Sequence, residues 1–354
     1  MKRRVRAVDK PLLELKSITV KFGGLTAANE VDIAIYPQTI SAVIGPNGAG
    51  KTTVFNCVTG IYPPSSGSIH IKGANIRPDY SAKVWLTALL VGVVCAVLLT
   101  LTVNVQSIWD ASINQLYVWE QAFPWGAVLP SAITTLLDLP LSRTLAPATI
   151  GLAIGAAAFL TTWERSRHTP YSSVTRGIAR TFQNIRLFKA MSVLENVLVG
   201  MHAETTTRFL DVLCNLARYQ KAEAKRIEQA KELLEFVGLL EHAESPAGAL
   251  PYGYQRRLEI ARALATSPEI LLLDEPAAGM NPSEMDDLAA LIQLIRERGV
   301  TVLLIEHHMK LVMGISDSVT VLEYGIKVAE GAPSVVQNDP KVIAAYLGDT
   351  YDGH

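Results

Sequence analysis

The run Gly45–Thr53, GPNGAGKTT, constrains the fold of this chain more than any other stretch. It satisfies the spacing G-x-x-x-x-G-K-[ST], follows the short apolar run TISAVI, and leads into residues 50–58, which read as a helix. Strand, glycine-rich turn and helix in that order make a cradle for phosphate. The loop Gly45, Pro46, Asn47, Gly48, Ala49 and Gly50 can aim backbone N–H groups inward. A Cβ at Gly45, Gly48 or Gly50 would obstruct the phosphate oxygens. The helix offers the positive end of its dipole to the anion. Lys51 can reach the β- and γ-phosphates, and Thr52, beside Thr53, supplies a hydroxyl for Mg2+. A turn that merely caps a helix explains the glycines, but not the lysine and paired threonines.

The surrounding pattern agrees. LLELKSITVKF and VDIAIYP alternate like half-buried strands, and GSIHIKGANI resumes the alternation as a further strand. RYQKAEAKRIEQAKELLEFVGLL has a helical period with one apolar face. EILLLDEP and VTVLLIEHH are apolar runs of strand length separated by the helical PSEMDDLAALIQLIRERG. Strands alternating with helices imply a mostly parallel α/β sheet covered on both faces. Charged residues make up 18% of the chain, below the usual share of about 25%, and the deficit lies between Val84 and Trp163. Composition shifts at RPDY and returns at ERSRHTPYSSVTRG, which divides the chain into 1–78, an inserted 79–170, and 171–354. A net charge of −1 gives no reason to expect a nucleic-acid partner. Cys57, Cys95 and Cys214 stand far apart without a CxxC pair, which suits a reducing compartment and suggests no zinc site. The opening MKRRVRAVDK is basic, but the charged and alternating PLLELKSITVKFGG after it excludes a signal peptide's apolar core. It reads as a solvated tail, with contact to anionic lipid as the alternative.

Asp274 and Glu275 close the apolar run ILLLDEP. Ligands of open α/β sheets bind at the carboxyl ends of strands, so both carboxylates are expected to face the Gly45–Thr53 loop. Asp274 would hold magnesium through water, and Glu275 would polarise the attacking water.

Together with LPYGYQRRLEIARAL (250–264) and LLIEHHM, these features resemble the ATP-binding cassette family of transporter ATPases. The resemblance covers nearly the whole chain outside the insertion. KFGGLTA, ARTFQNIRLF, SVLENVLVG, DEPAAGMNP and DPKVIAAYLG look most like its branched-chain amino acid uptake branch. It implies a P-loop ATPase with a RecA-like core sheet, an antiparallel β subdomain and a helical signature subdomain, using ATP and Mg2+. By the same resemblance, Phe22 stacks on adenine and Gln183 contacts magnesium or the attacking water. Asn281 makes contacts across a dimer, and His307 places an imidazole near the γ-phosphate. His308 stands where that branch commonly has aspartate.

The signature stretch departs from the family's L-S-G-G-Q, reading Leu250, Pro251, Tyr252, Gly253, Tyr254. The serine hydroxyl is absent and Pro251 has no N–H. Tyr252 and Gly253, at the start of a helix, remain able to meet a phosphate. Loss of one charge-assisted hydrogen bond, about 1.5–3 kcal/mol, implies slower turnover at that site. One phosphate loop and one signature per chain imply a head-to-tail pair of cassettes, either two copies or this chain with a related one. The pair would act on two membrane permease subunits and, indirectly, on an extracytoplasmic solute-binding protein.

Residues Val84 to Trp109, VWLTALLVGVVCAVLLTLTVNVQSIW, contain no charged side chain. As a helix, 84–103 spans about 30 Å, the thickness of a bilayer's hydrocarbon core. A second uncharged window, 144–163, carries glycines and alanines suited to close helix packing in lipid, with Pro147 near its start. Lys83, Arg165 and Arg167 flank the pair, while the intervening loop holds Asp110, Glu120, Asp138 and only Arg143. Positive flanks inside describe a transmembrane hairpin that returns the chain to the cytoplasmic face of a bacterial inner membrane. Trp109, Trp119, Trp125 and Trp163 lie near the ends or in the loop, where interfacial aromatics gather. Two buried helices of an enlarged soluble domain are the alternative. For the chain as a whole, the expected role is ATPase subunit of an importer for branched-chain or related hydrophobic amino acids. Alternatives are an importer of urea or amides, a hydrolysis-weakened subunit of a heterodimeric pair, and a soluble cassette acting on nucleic acid or ribosomes.

Overall fold

The computed structural model describes residues 10–76, 80–118, 123–166, 176–201 and 217–347. The basic N-terminal residues 1–9, Trp119, Glu120, Arg167 and Cys214 lie outside them. The chain divides into two compact units, Met1–Arg77 with His168–His354, and Pro78–Arg167.

The first unit is built on two sheets. β1 (Leu13–Phe22), β2 (Leu25–Ile35), β3 (Ile40–Ile44), β4 (Ser66–Ile71) and β5 (Ala74–Asn75) precede the insertion. β6 (Ile178–Arg180), β7 (Ile270–Asp274), β8 (Thr301–Ile305), β9 (Ser318–Glu323) and β10 (Ile326–Gly331) follow it. A four-stranded antiparallel sheet runs β2-β1-β4-β5, and a six-stranded sheet runs β10-β9-β3-β8-β7-β6. In the larger sheet only β10 is antiparallel to its neighbour. The expected single strand GSIHIKGANI is a hairpin instead. Lys72 and Gly73 between β4 and β5 both take positive φ, 52° and 78°, the combination of a type I′ turn that reverses a strand in two residues.

Strands β3, β7 and β8 are buried along their whole length. Their side chains alternate between two cores. Ile40, Ala42, Leu271, Leu273, Val302 and Leu304 face one core, which also holds Leu234, Leu258 and Ile292 from helices. Val43, Ile270, Leu272, Leu303 and Ile305 face the other, shared with Val54 and Phe55 of helix Lys51–Val58 and with β1 and β2. Burial on both faces explains why these strands read as unbroken apolar runs. It also fixes the carboxyl ends of β3, β7 and β8 side by side.

Among its described residues the second unit contains four helices, Ala82–Val103, Val105–Leu116, Trp125–Leu137 and Leu141–Ser166. The first and last enclose both uncharged windows. The expected intervening loop is largely helical, and Pro147 lies inside the last helix, which begins before it at Leu141. The two short helices escape a reading based on long apolar runs because Val105–Leu116 mixes apolar and polar residues and Trp125–Leu137, though apolar, is too short to span a bilayer. The long pair packs through its small residues: a Cβ on Gly151 would lie 2.6 Å from Ala96 Cα, and one on Gly155 2.9 Å from Gly92 Cα. Trp85, Leu89, Leu90, Val93, Val97 and Leu98 point outward and are about half exposed. Tyr80 lies 5.0 Å from Trp163 and 5.9 Å from Trp85, and its hydroxyl is 2.9 Å from Glu164 Oε2. In the loop region, Phe123 contacts Tyr117 at 5.6 Å and Trp125 at 4.5 Å.

Candidate nucleotide site

The loop after β3 is shaped by its own neighbours as much as by any anion. Gly45 has φ +149°, and a Cβ there would stand 2.0 Å from the Leu322 carbonyl oxygen of β9. Gly50 has φ +90°, and its Cβ would stand 2.3 Å from the Ala27 carbonyl oxygen of β2. The expected reason for these two glycines, clearance for phosphate, is therefore joined by a stronger one. The loop is pressed against both sheets, and side chains would collide with backbone. Lys51 is 5% exposed and donates from Nζ to the carbonyls of Gly45 (2.7 Å) and Pro46 (2.8 Å). Burial pulls its ammonium below a lysine's ordinary range, while the nearby Glu275 and Asp274 charges pull it back up. Thr52 is exposed beside it.

A cavity of about 570 Å³ opens over this loop, lined among others by Phe22, Asn47, Lys51, Thr52, Glu275 and His307. Gly48, Ala49, Gly50 and Thr53 also line it, as does Tyr324, which sequence reading did not single out. Phe22 is half exposed at the end of β1, with its ring edge-on to Tyr62 at 5.2 Å. It stands at the cavity wall. Tyr252 and Gly253 do not line the cavity.

Glu275 follows the last residue of β7 with φ +47°, a strained conformation for a residue with a Cβ. Its N–H donates to the Ile305 carbonyl at 2.9 Å, which holds the turn. The carboxylate is gripped from both sides: Gln183 Nε2 donates to Oε2 at 2.8 Å, and His307 Nε2 lies 2.7 Å from Oε1. Three residues far apart in sequence thus meet at one carboxylate.

Asp274 is 3% exposed and paired with Arg180, whose Nη2 lies 2.6 Å from Oδ2. The same guanidinium donates from Nη1 to Asn56 Oδ1 (2.7 Å) on the helix after the phosphate loop and to Thr59 Oγ1 (3.1 Å) at that helix's C-cap. It lies over the rings of Phe55 and Phe182. Sequence reading missed Arg180. Its only signal is a cation at the end of an otherwise apolar strand edge. A second omission is Glu306, which is 1% exposed. Its carboxylate accepts the N–H groups of Ala277 (2.7 Å) and His307 (2.9 Å), tying the turn after Glu275 to the turn that carries the imidazole.

Asn281 caps helix Pro282–Glu297: its side chain accepts from Glu284 N, and Glu284 accepts from Asn281 N. The N-P-S-E spacing carried that capping-box signal. Pro251 precedes helix Tyr252–Leu264, Tyr252 is 44% exposed, and Tyr254 leans on the His242 ring at 5.5 Å. His308 is exposed at the start of the next helix.

Comparison with known proteins agrees with this geometry. The sequence profile of the ABC transporter family matches residues 28–99 and 152–278, and that of the branched-chain amino acid ATP-binding cassette transporter matches 327–352. The chain is 37% identical over 343 residues to the Pseudomonas aeruginosa high-affinity branched-chain amino acid transport ATP-binding protein BraF, covering 97% of this chain and 100% of that one. It is 36% identical over 344 residues to Escherichia coli LivG, described in the same words, again covering 97% and 100%. A crystal structure of a nucleotide-free ATP-binding cassette from an ABC transporter superposes with a TM-score of 0.62 at 24% identity, covering 96% of this chain and 99% of that one, a likeness of fold. A phosphate loop under a cavity, a doubly held carboxylate and these relatives lead to one statement: the chain belongs to the ABC transporter family, as an ATP-binding and ATP-hydrolysing subunit of the branched-chain amino acid transport type.

Proposed function

We propose that this chain energises uptake of branched-chain amino acids through permease subunits of a bacterial inner membrane, working from the cytoplasmic face as one of two paired cassettes. The grip of Gln183 and His307 on Glu275 beside the phosphate-loop cavity carries the reading. Phe22 offers its exposed ring to adenine. The loop N–H groups and Lys51 hold the phosphates, once Lys51 exchanges two carbonyls for phosphate oxygens. Glu275 takes a proton from the attacking water, and His307 and Gln183 keep its carboxylate aimed.

The residues at hand fit Mg2+. Thr52, Asp274 and the Gln183 amide offer oxygen donors, which this hard cation prefers. Arg180 pairs with Asp274 Oδ2, and the Asp274 carboxylate would hold the metal through water. The metal, when bound, would neutralise phosphate charge.

The signature residues Tyr252 and Gly253 are absent from the cavity's lining, which favours a second cassette that presents its own signature there. In a strain lacking this gene, uptake of labelled leucine, isoleucine and valine should fall to background and return with the wild-type chain. Unchanged uptake of all three, with loss of urea or amide uptake instead, would reassign the solute.

The inserted unit is proposed to cross the bilayer as a hairpin. Its two long helices have 22 and 26 residues, enough to span about 30 Å. They pack through glycines and turn large apolar side chains outward. The Tyr80–Trp85–Trp163 cluster at one end of the pair is the composition of a membrane interface. Membranes from cells lacking the permeases, washed at alkaline pH, should retain the chain. Its release into the supernatant would refute insertion.

A further inference from the structure

We infer that Arg256 and Glu259 are positioning residues for Gln183 and, through it, for Glu275. The two side chains form an ion pair within helix Tyr252–Leu264, Nη1 to Oε2 at 2.7 Å, with side-chain exposures of 0% and 2%. Neither sequence motif nor expected chemistry called for a full charge pair at that depth.

Its partners explain it. Arg256 Nη1 also donates to the Phe182 carbonyl at 2.7 Å, and Nη2 donates to the Gln183 carbonyl at 2.9 Å. Glu259 Oε1 accepts the Phe182 N–H at 3.2 Å. Three side-chain groups thus clamp three consecutive peptide units around Phe182 and Gln183, the stretch that delivers the Gln183 side chain to Glu275 Oε2. Thr181 N–H still donates to the Leu272 carbonyl of β7 at 3.0 Å; past it the backbone leaves the sheet, and these side chains hold the peptide groups of Phe182 and Gln183.

A role in bulk stability accounts for the pair less well. Charges taken out of water repay their desolvation poorly, and apolar residues of similar volume often do as well. Arg256 Nε, moreover, is buried with no hydrogen-bond partner among the described residues. What apolar residues could not supply is directional hold on a carbonyl pair. The clamp therefore ties the signature helix of a cassette to its own hydrolytic carboxylate.

This inference rests on the roles proposed above for Gln183 and Glu275, and the test separates the two. The intact transporter in mild detergent is assayed for phosphate release as wild type, Q183A, R256M/E259L and the triple variant. The paired replacement leaves no unpartnered buried charge. Q183A and R256M/E259L should each lower kcat at least about tenfold, near 1.4 kcal/mol, with KM for ATP within about threefold. The triple variant should be no slower than Q183A, because the clamp has nothing left to aim. R256K, which keeps charge but loses the two-pronged grip, should fall between wild type and R256M/E259L. If the triple variant loses the product of the two factors, or if R256M/E259L turns over within about twofold of wild type, the inference is overturned. Should thermal melting show that R256M/E259L does not fold, R256K with Q183A forms the same cycle. Full hydrolysis by E275Q would overturn the site reading itself, whereas an inactive E275Q with independent factors sinks the clamp alone.

Discussion

Replacing Glu275 with glutamine should leave ATP bound and slow hydrolysis by about 10²–10⁴-fold, the range supplied by a positioned general base. The substitution keeps the shape of the side chain and its hydrogen-bonding oxygen, so His307 can still reach it. What is lost is the capacity to take a proton from water. The new amide NH2 opposes the Gln183 Nε2 donor if it faces that side, and finds an acceptor in His307 Nε2 only when the imidazole proton sits on Nδ1. ATP capture relies on the phosphate loop, where Lys51 and the backbone are untouched. Fluorescent-nucleotide binding and phosphate release measured on the same preparation would check this. Binding within a factor of about three of wild type, with turnover near background, is the expected pair of results. Turnover retained by the variant would remove Glu275 from the chemistry.

Lys51→Ala is expected to separate folding from nucleotide capture. Without ATP the substitution gives up two hydrogen bonds, to the carbonyls of Gly45 and Pro46. It also relieves the burial of an ammonium that is 5% exposed. These effects oppose each other, so the unfolding midpoint of the nucleotide-free chain should move little. With ATP at about a hundred times its dissociation constant, the wild-type chain gains about 2.7 kcal/mol by mass action. The variant should show none of that gain. Thermal melting with and without nucleotide reads both quantities, and uptake of labelled leucine should stop. A nucleotide-dependent rise preserved in the alanine variant would show that the loop holds phosphate through its backbone alone.

Much of the site was legible because its pieces are local. Gly45–Thr53 carries its strand, turn and helix in one contiguous stretch, and Asp274–Glu275 mark a strand end by following four apolar residues. The long helices of the insertion were likewise visible, since absence of charge over a helical length needs no partner to be noticed. Reading by run length failed for Val105–Leu116, which mixes apolar and polar residues, for Trp125–Leu137, which is apolar but short, and for β4 and β5, where two residues with positive φ reverse the chain. Asn281 is the N-cap of helix Pro282–Glu297, and its cap with Glu284 went unread beside the more prominent carboxylates.

By itself the sequence determined which chemical groups the chain brings: a glycine-rich phosphate loop, a lysine, two carboxylates, a glutamine and an imidazole. Only the tertiary structure decided how they are held. Arg180 meets Asp274 across 94 residues, and Arg256 meets the Phe182 and Gln183 carbonyls across 74 and 73. Gly45 and Gly50 are pinned by carbonyls of β9 and β2. Such partners are selected by sheet order and by which side chains find themselves buried together. A buried charge must find its counterpart wherever the fold puts one, and linear spacing carries no record of that choice.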